Sequence, residues 1–251
     1  MCGIVGYLGD RPAYPMLIQG LRRLEYRGYD SAGVALVHEN GTLDVFKSKG
    51  KVADLERATQ GQDVSGTIGI AHTRWATHGE PNDANAHPHY SQSKTLAIIH
   101  NGIIENYNVL REMLRNHDYT FQSDTDTEVL VQLIEYIKQT NHCDLCTAVQ
   151  LALHEVVGAY AIAVIEKENP DLIVAARKSS PLVIGIRGNE RFLASDATPI
   201  IEHTKEVVYL NDEEVAVIRR NEPLQVVSLD NVVKPLHIKM LEMNISQLEK
   251  G

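Results

Sequence analysis

The chain has 251 residues, 43% of them hydrophobic and 23% charged, with a formal net charge of −9. This acidic balance argues against a phosphate-backbone partner, so we expect no nucleic-acid binding. No stretch approaches the roughly 18 uninterrupted apolar residues of a membrane span, no secretory pattern opens the chain, and three cysteines do not make a disulfide framework, so we expect a cytoplasmic protein without membrane contact.

Alternating apolar residues predict many β-strands, and helical spacing predicts helices between the early ones. In chain order the predicted elements are strand 3–8, helix 14–26, strands 33–38, 67–72 and 95–100, helices 104–116, 126–139 and 144–156, and strands 160–166, 172–176, 182–186, 207–210 and 215–218. Helices clustered with antiparallel strands indicate an α+β domain whose helices cover stacked sheets. We assign residues 1–235 to this domain and predict that the charged segment 236–251 is a short helix or linker without a core partner.

Cys2 is the first residue with distinctive chemistry, because it directly follows the initiator methionine. Removal of Met1 would leave a thiol and a free α-amine on one residue, and an amine with an ordinary pKa of about 7.7–8.0 is a general base near neutral pH. Nucleophiles activated by their own N-terminal amine are known in catalysis. The alternative is a chance cysteine in a frayed terminus, but the apolar run that follows predicts a terminus tied into a sheet.

A polar cluster follows one of the predicted strands, where His72, Arg74, Trp75, Thr77 and His78 lie within seven positions. An arginine that can hold a carboxylate through two hydrogen bonds, beside a hydroxyl and an imidazole, is typical of a clamp for a small anion. The alternative is a loop with solvated charges and one buried aromatic ring.

Asn101 and Gly102 follow the apolar run that ends at His100. An Asn-Gly pair usually predicts a hairpin turn, but no partner strand follows here. An asparagine amide and a glycine N–H at a strand end are instead a plausible oxyanion hole, since the missing Cβ lets a substrate approach the main chain.

Asp126 lies in the first turn of a predicted helix, after Thr125 and two residues before Glu128. Thr125 and Glu128 fit a capping box, and a carboxylate at this position is favoured by the helix dipole. The same carboxylate could equally bind an ammonium group. The sequence leaves these two roles for Asp126 open.

Two other groups of possible ligands have simpler interpretations. Cys143 and Cys146 form a C-x-x-C pair with no second pair at zinc spacing, so we interpret them as helix-capping and core residues rather than a redox or metal site. His87 and His89 flank a proline and are more simply a turn than a ligand pair. We expect no cofactor and no metal.

Several longer strings resemble the N-terminal-nucleophile glutamine amidotransferases, and most specifically the glutaminase domains of the glucosamine-6-phosphate synthases. The resemblance covers essentially the whole chain. The strings that carry it are Cys2-Gly3-Ile4-Val5-Gly6, Leu24-Glu25-Tyr26-Arg27-Gly28-Tyr29-Asp30-Ser31-Ala32-Gly33, His72-Thr73-Arg74-Trp75-Ala76-Thr77-His78-Gly79, Asn85-Ala86-His87-Pro88-His89, His100-Asn101-Gly102-Ile103-Ile104-Glu105-Asn106 and Asp124-Thr125-Asp126-Thr127-Glu128.

The resemblance implies a four-layer αββα sandwich that hydrolyses L-glutamine through a Cys2 thioester. It also implies a partner, a C-terminal sugar-isomerase domain that would use the ammonia to convert fructose 6-phosphate to glucosamine 6-phosphate in the hexosamine pathway. The competing interpretation is a regulatory domain that binds glutamine without turnover. The implied site residues are Cys2, Asn101 and Gly102 for catalysis, Arg74, Thr77, His78 and Asp126 for substrate binding, and Arg27 and Trp75 in supporting positions.

Overall fold

The computed structural model describes residues 2–76 and 79–242. Its helices are α1 (Ala13–Arg23), α2 (Val52–Ala58), α3 (Tyr107–Arg115), α4 (Asp126–Asn141) and α5 (Leu145–Glu155), with a short 3-10 turn at Glu25–Arg27. Its strands are β1 (Gly3–Leu8), β2 (Ser31–Val37), β3 (Leu43–Lys49), β4 (Ile68–Arg74), β5 (His89–Tyr90), β6 (Leu96–Ile104), β7 (Gly158–Glu166), β8 (Asn169–Lys178), β9 (Val183–Arg187), β10 (Glu190–Ala194), β11 (Glu206–Tyr209), β12 (Glu214–Arg219), β13 (Gln225–Ser228), β14 (Val233–Lys234) and β15 (Ile238–Met240).

The strands form two sheets in which neighbouring strands are antiparallel. The first has the order β15-β11-β9-β10-β1-β4-β2-β3, and the second has the order β14-β13-β12-β8-β7-β6-β5. In the first sheet β1 lies between β10 and β4, so the start of the chain is paired on both sides. The prediction that the terminus is tied into a sheet is therefore confirmed.

The alternation of side chains along each strand produces the layers. On β1, Ile4 and Leu8 face a core between the two sheets, whereas Val5 and Tyr7 belong to a core between the first sheet and helices α1 and α2. A third core lies between the second sheet and helices α3, α4 and α5. Because both faces of the central strands are buried, those strands are almost continuously apolar. The predicted α+β sandwich of four layers is confirmed.

Three predictions about elements are wrong in their detail. Strand β6 does not end at His100 but pairs with β7 as far as Ile104, so Asn101 and Gly102 lie within a strand and α3 begins only at Tyr107. The apolar run stops there because residues 101–103 are partly or fully exposed, not because the strand ends; Ile104 is again buried in the core. In the segment predicted as a helix or linker, Ile238–Met240 forms an edge strand on β11; residues 243–251 lie outside the described part.

Candidate active site

The candidate site lies at the end of the layer between the sheets, where β1 and β4 of one sheet approach β6 of the other. Cys2 immediately precedes β1, and its even position continues the alternation that places Ile4 and Leu8 between the sheets. His72 and Arg74 continue the inward series of β4 in the same way. The polar residues therefore occupy inward positions beyond the last apolar side chains.

The thiol of Cys2 contacts the backbone of Trp75. The Trp75 N–H donates a hydrogen bond to Sγ at 3.2 Å, and Sγ lies 3.6 Å from the Trp75 carbonyl oxygen. Burial raises the pKa of the Cys2 thiol above its ordinary value, and the Trp75 N–H and the Arg74 charge lower it by less. The thiol therefore carries its proton near neutral pH and needs a base before it can act as a nucleophile.

Asn101 extends from the second sheet to the residue that carries the thiol. Its Nδ2 donates to the Cys2 carbonyl oxygen at 3.2 Å, and its Oδ1 lies 2.8 Å from Nε2 of His72. The next residue, Gly102, has a φ of +121°, and a Cβ there would lie 2.2 Å from the carbonyl oxygen of Ala159. Only glycine fits this backbone position.

Arg74 ends β4 and is 4% exposed. Its carbonyl oxygen accepts a hydrogen bond from the Asp30 N–H at 2.8 Å, and the Asp30 carboxylate accepts one from the Ala76 N–H at 2.5 Å. Asp30 thus ties the loop after β4 to the start of β2. The alternative of a solvated arginine in a loop is wrong, because Arg74 is a buried strand residue.

Asp126 begins α4 and is 6% exposed. Its Oδ2 accepts a hydrogen bond from the Ile104 N–H at 2.8 Å and lies 4.0 Å from Nδ1 of His100. The carboxylate is therefore held against β6 rather than capping its own helix.

The predicted capping box is only half present. Thr125 caps α4 by accepting a hydrogen bond from the Glu128 N–H at 3.2 Å. The Glu128 carboxylate reaches further back than a capping box requires and accepts hydrogen bonds from the Gln122 N–H at 2.8 Å and the Ser123 N–H at 2.7 Å. Glu128 therefore orders the loop before the helix. Asp126 takes no part in capping α4.

Two cavities meet at Cys2. The first has a volume of about 30 Å³ and brings an arginine and a carboxylate to one pocket; its lining residues are Cys2, Arg74, Trp75, His87, His100, Gly102, Thr125, Asp126 and Thr127. The second, of about 310 Å³, shares Cys2, Trp75 and Gly102 with the first and is otherwise lined by Arg27, Asn101, Ile103, Ser180, Pro181 and Ser195. The described residues of the predicted site all border one cavity or both.

The two supporting residues differ in exposure. Arg27 forms an ion pair with Asp196 and its side chain is 14% exposed, whereas Trp75 is 53% exposed beside the thiol. The predicted substrate ligands Thr77 and His78 lie outside the described residues.

Four buried histidines surround the site. Burial lowers the pKa of His72 to about 3 and lowers the pKa values of His87, His89 and His100 below their ordinary value, so the rings are neutral near neutral pH. The His72 and His87 rings stack with centroids 4.2 Å apart, and His89 meets His87 edge-on at 4.8 Å. His87 lies in a bend, as expected of a turn, but His89 is already the first residue of β5, and both side chains are buried. Inward alternation along β4 and β6 was the signal that could have placed both His72 and Asn101 between the sheets.

The C-x-x-C pair lies away from this site. Cys146 is buried in the core beneath the second sheet and Cys143 packs at its margin. The cap of α5 is Asp144, whose Oδ1 accepts a hydrogen bond from the Thr147 N–H at 2.8 Å, so the expected capping role of Cys143 is wrong. Within residues 2–76 and 79–242, no group of three His, Cys, Asp or Glu side chains could hold a metal ion. No helix of that part is long and apolar enough to span a membrane.

Solved structures with similar folds include glutamine phosphoribosylpyrophosphate amidotransferase from B. subtilis, complexed with ADP and GMP. It is 27% identical, with a TM-score of 0.74 over 91% of this chain and 49% of that one. A glutamine aminotransferase class-II domain protein from Silicibacter pomeroyi is 14% identical, with a TM-score of 0.57 over 90% of this chain and 99% of that one, a likeness of fold alone.

Curated proteins named glutamine–fructose-6-phosphate aminotransferase (isomerizing) align with the whole chain. The protein of Bacteroides thetaiotaomicron is 66% identical over 251 residues, and that of Chlorobaculum tepidum is 52% identical over 258. This chain spans 41% of the length of each. A family model described as a glutamine amidotransferase domain matches residues 38–234, well over half of the chain. The chain therefore belongs to the glutamine amidotransferase domain family.

Proposed function

We propose that this chain hydrolyses L-glutamine to glutamate and ammonia through a thioester on Cys2. The observation that carries the proposal is the first cavity, in which a thiol, an arginine and a carboxylate face one enclosure. A free amino acid has an α-carboxylate and an α-ammonium group, and the cavity offers a charge of opposite sign to each. A general peptidase of the N-terminal-nucleophile type would not need this pair of charges.

Glutamine binding is assigned to the two charged side chains of the cavity. Arg74, with Thr77, would hold the α-carboxylate, and Asp126 would hold the α-ammonium group. His78 and the Gly102 carbonyl would line the remainder of the pocket. Because both ends of the amino acid are held, the side-chain amide is fixed over the thiol, and such positioning lowers the barrier by several kcal/mol.

The chemistry begins with transfer of the thiol proton to the α-amine of Cys2, directly or through water, after removal of Met1. The raised pKa of the thiol makes this base necessary. Sulfur then attacks the amide carbon, and Nδ2 of Asn101 and the Gly102 N–H stabilise the oxyanion, each by about 3 kcal/mol. As the intermediate collapses, the protonated amine gives its proton to the amide nitrogen, the C–N bond breaks and ammonia leaves; water then hydrolyses the thioester.

The remaining assignments concern the longer protein. Residues 1–235 would be the glutaminase domain, to which β15 adds an edge strand, and the remainder of 236–251 would be the link to a sugar-isomerase domain. That domain would use the ammonia to convert fructose 6-phosphate to glucosamine 6-phosphate for the hexosamine pathway in the cytoplasm. The length of the relatives leaves room for such a domain. Trp75 would gate the passage of ammonia, and Arg27 would support the side of Cys2 that faces the second cavity.

Ammonia release by the purified chain tests the proposal. L-Glutamine should be hydrolysed, whereas analogues that lack the α-amino or the α-carboxyl group should react with a kcat/KM lower by at least about 10-fold, because each loses one charged contact. Equal turnover of the analogues would contradict recognition by Arg74 and Asp126. Saturable glutamine binding without ammonia release would instead identify a regulatory domain.

A further inference from the structure

One hydrogen bond beneath Cys2 joins the two sheets. Nε2 of His72 on β4 lies 2.8 Å from Oδ1 of Asn101 on β6. His72 is fully buried, and Asn101 is half-buried with its Nδ2 bonded to the Cys2 carbonyl oxygen. The bond therefore connects the strand that leads to Arg74 with the residue proposed as an oxyanion donor.

We propose that His72 is a positioning residue, which acts through Asn101 by holding its side-chain amide with Nδ2 directed at the reacting centre. The proposal rests on the proposed function, since it assumes that Asn101 Nδ2 donates to the oxyanion. His72 does not line either cavity at Cys2. Its effect on the reaction must therefore be indirect.

The partners of Nδ2 and Oδ1 of Asn101 both require the same orientation of the side-chain amide. Nδ2 can donate to the Cys2 carbonyl oxygen, and Oδ1 can accept from a protonated Nε2 of His72. If the amide were turned over, Oδ1 would face the Cys2 carbonyl oxygen and two acceptors would meet at about the same separation. These hydrogen bonds therefore determine which end of the Asn101 amide is the oxygen and which is the nitrogen. They also require that the proton of His72 is on Nε2.

The protonation state of His72 suits this task. Burial lowers its pKa to about 3, so the ring is neutral near neutral pH and carries one N–H. A carbonyl oxygen can only accept, so that N–H must be on the nitrogen that faces Asn101. A neutral donor fixes the amide without adding a second buried charge beside Arg74.

The ring of His72 is itself held from the other side. The His87 ring stacks on it with centroids 4.2 Å apart and an angle of 17° between the planes. His87 can approach because Gly33 on β2 has no side chain, and a Cβ at that position would lie 2.0 Å from the His87 carbonyl oxygen. The amide of Asn101 is thus oriented before a substrate arrives, which is the condition for a preorganised oxyanion donor.

Two substitutions at position 72 separate the hydrogen bond from the packing. His72→Phe keeps a flat ring but removes the donor, whereas His72→Gln places an amide N–H at a reach similar to that of the histidine Nε2. We expect His72→Phe to lower kcat for glutamine hydrolysis by about 10- to 100-fold, with KM within about threefold of the parent. His72→Gln should restore most of kcat.

The double variant with Asn101→Ala tests whether the effect passes through Asn101. We expect His72→Phe to lower kcat/KM no further in a chain that already lacks the Asn101 amide, because the two residues would act as one unit. The fraction of correctly folded sites in every variant is counted by alkylation of Cys2 with a reactive glutamine analogue, followed by intact mass, so that kcat refers to competent sites only.

The possible outcomes distinguish this inference from the proposed function. If Asn101→Ala lowers kcat but His72→Phe does not, the positioning role of His72 is overturned and the oxyanion role stands. If the Phe and Gln variants lose kcat equally, or if the losses of His72→Phe and Asn101→Ala add, His72 acts by packing and the inference fails. If Asn101→Ala itself has no effect, the oxyanion assignment in the proposed function is wrong.

Discussion

The two ends of the layer between the sheets are joined by different polar groups. Near Cys2 the two sheets are joined by a hydrogen bond between two uncharged side chains, His72 and Asn101. At the far end it is Arg220, which follows β12 of the second sheet and donates to the Gly9 carbonyl oxygen and, at 2.8 Å, to Thr67 Oγ1, both beside strands of the first sheet. Arg220 also forms an ion pair with Asp171.

The two ends differ in what surrounds these hydrogen bonds. The far end also has a cavity, but the Arg220 guanidinium that lines it donates to acceptors of the protein and ties the two sheets together. At the near end, the polar groups hold one another in place around a cavity that also contains Arg74, Asp126 and a thiol. We therefore expect substitutions at the far end to change the free energy of unfolding, and substitutions at the near end to change the reaction.

The largest effect is expected from Cys2→Ala. Removal of the nucleophile should lower glutamine hydrolysis by on the order of 10⁴-fold or more, while thermal unfolding stays close to that of the parent because Cys2 precedes β1 and is not part of the packed core. Ammonia release and the unfolding temperature are measured together. Cys143→Ala, which removes a partly buried thiol outside the site, is the control. Retained hydrolysis in Cys2→Ala would rule out the nucleophile.

Asp126→Asn should act on substrate binding. The asparagine oxygen can still accept the Ile104 N–H, so the change removes mainly the negative charge. Loss of a charge-assisted contact of about 1.5–3 kcal/mol should raise KM for glutamine by roughly 10- to 100-fold. The measurement compares KM with the free energy of unfolding in urea. A variant that loses stability but keeps its KM would show that Asp126 serves the fold and does not bind the ammonium group.

Arg220→Met should have the complementary effect. It leaves the Gly9 carbonyl and the Thr67 hydroxyl without their donor and should lower the free energy of unfolding by about 1–3 kcal/mol, with kcat/KM for glutamine unchanged in the folded protein. Arg219→Met is the matched control, because its ion pair with Glu222 is 3.7 Å long and exposed. A kinetic effect of Arg220→Met would mean that the two ends of the layer are coupled.

The buried histidines make the stability of the near end depend on pH. Their pKa values are lowered in the folded chain, so the unfolded chain binds more protons below about pH 6.5 and the free energy of unfolding falls as the pH drops through that value. For His72 the loss continues down to its folded pKa of about 3. Each histidine contributes up to about 1.4 kcal/mol per pH unit.

Urea unfolding between about pH 7.5 and about pH 5 measures this dependence. His87→Phe should reduce the slope of the unfolding free energy against pH, because it removes one of the linked groups. His237→Gln, which changes an exposed histidine outside the site, is the control. An unchanged slope in His87→Phe would show that His87 is not one of the groups that link protonation to unfolding.

The sequence was sufficient for the parts of the molecule that repeat a simple pattern. The central strands alternate between two apolar layers, so β1, β4 and β7 were predicted close to their observed positions, and β6 was predicted correctly at its start. The edge strand β3 was missed because its second half carries two lysines and a serine and faces partly into solvent. Short edge strands such as β14 and β15 bury too few side chains to leave a pattern.

The sequence indicated the residues of the candidate site but not the contacts that support them. Cys2, Arg74 and Asn101 have chemistry that stands out in the sequence, and all three border the cavities at Cys2. The bond of His72 to Asn101 joins positions 29 residues apart on different sheets. Nothing in either local sequence specifies that contact, which depends on how the two sheets are stacked.

The central claim is that Cys2 is both nucleophile and N-terminal amine. The direct measurement is an acid quench of the chain during glutamine turnover, followed by mass spectrometry of its N-terminal peptide. The account predicts a peptide that begins at Cys2 and carries a glutamyl group on sulfur. An active preparation whose N-terminal peptide keeps Met1, or whose glutamyl group is on another residue, would contradict it.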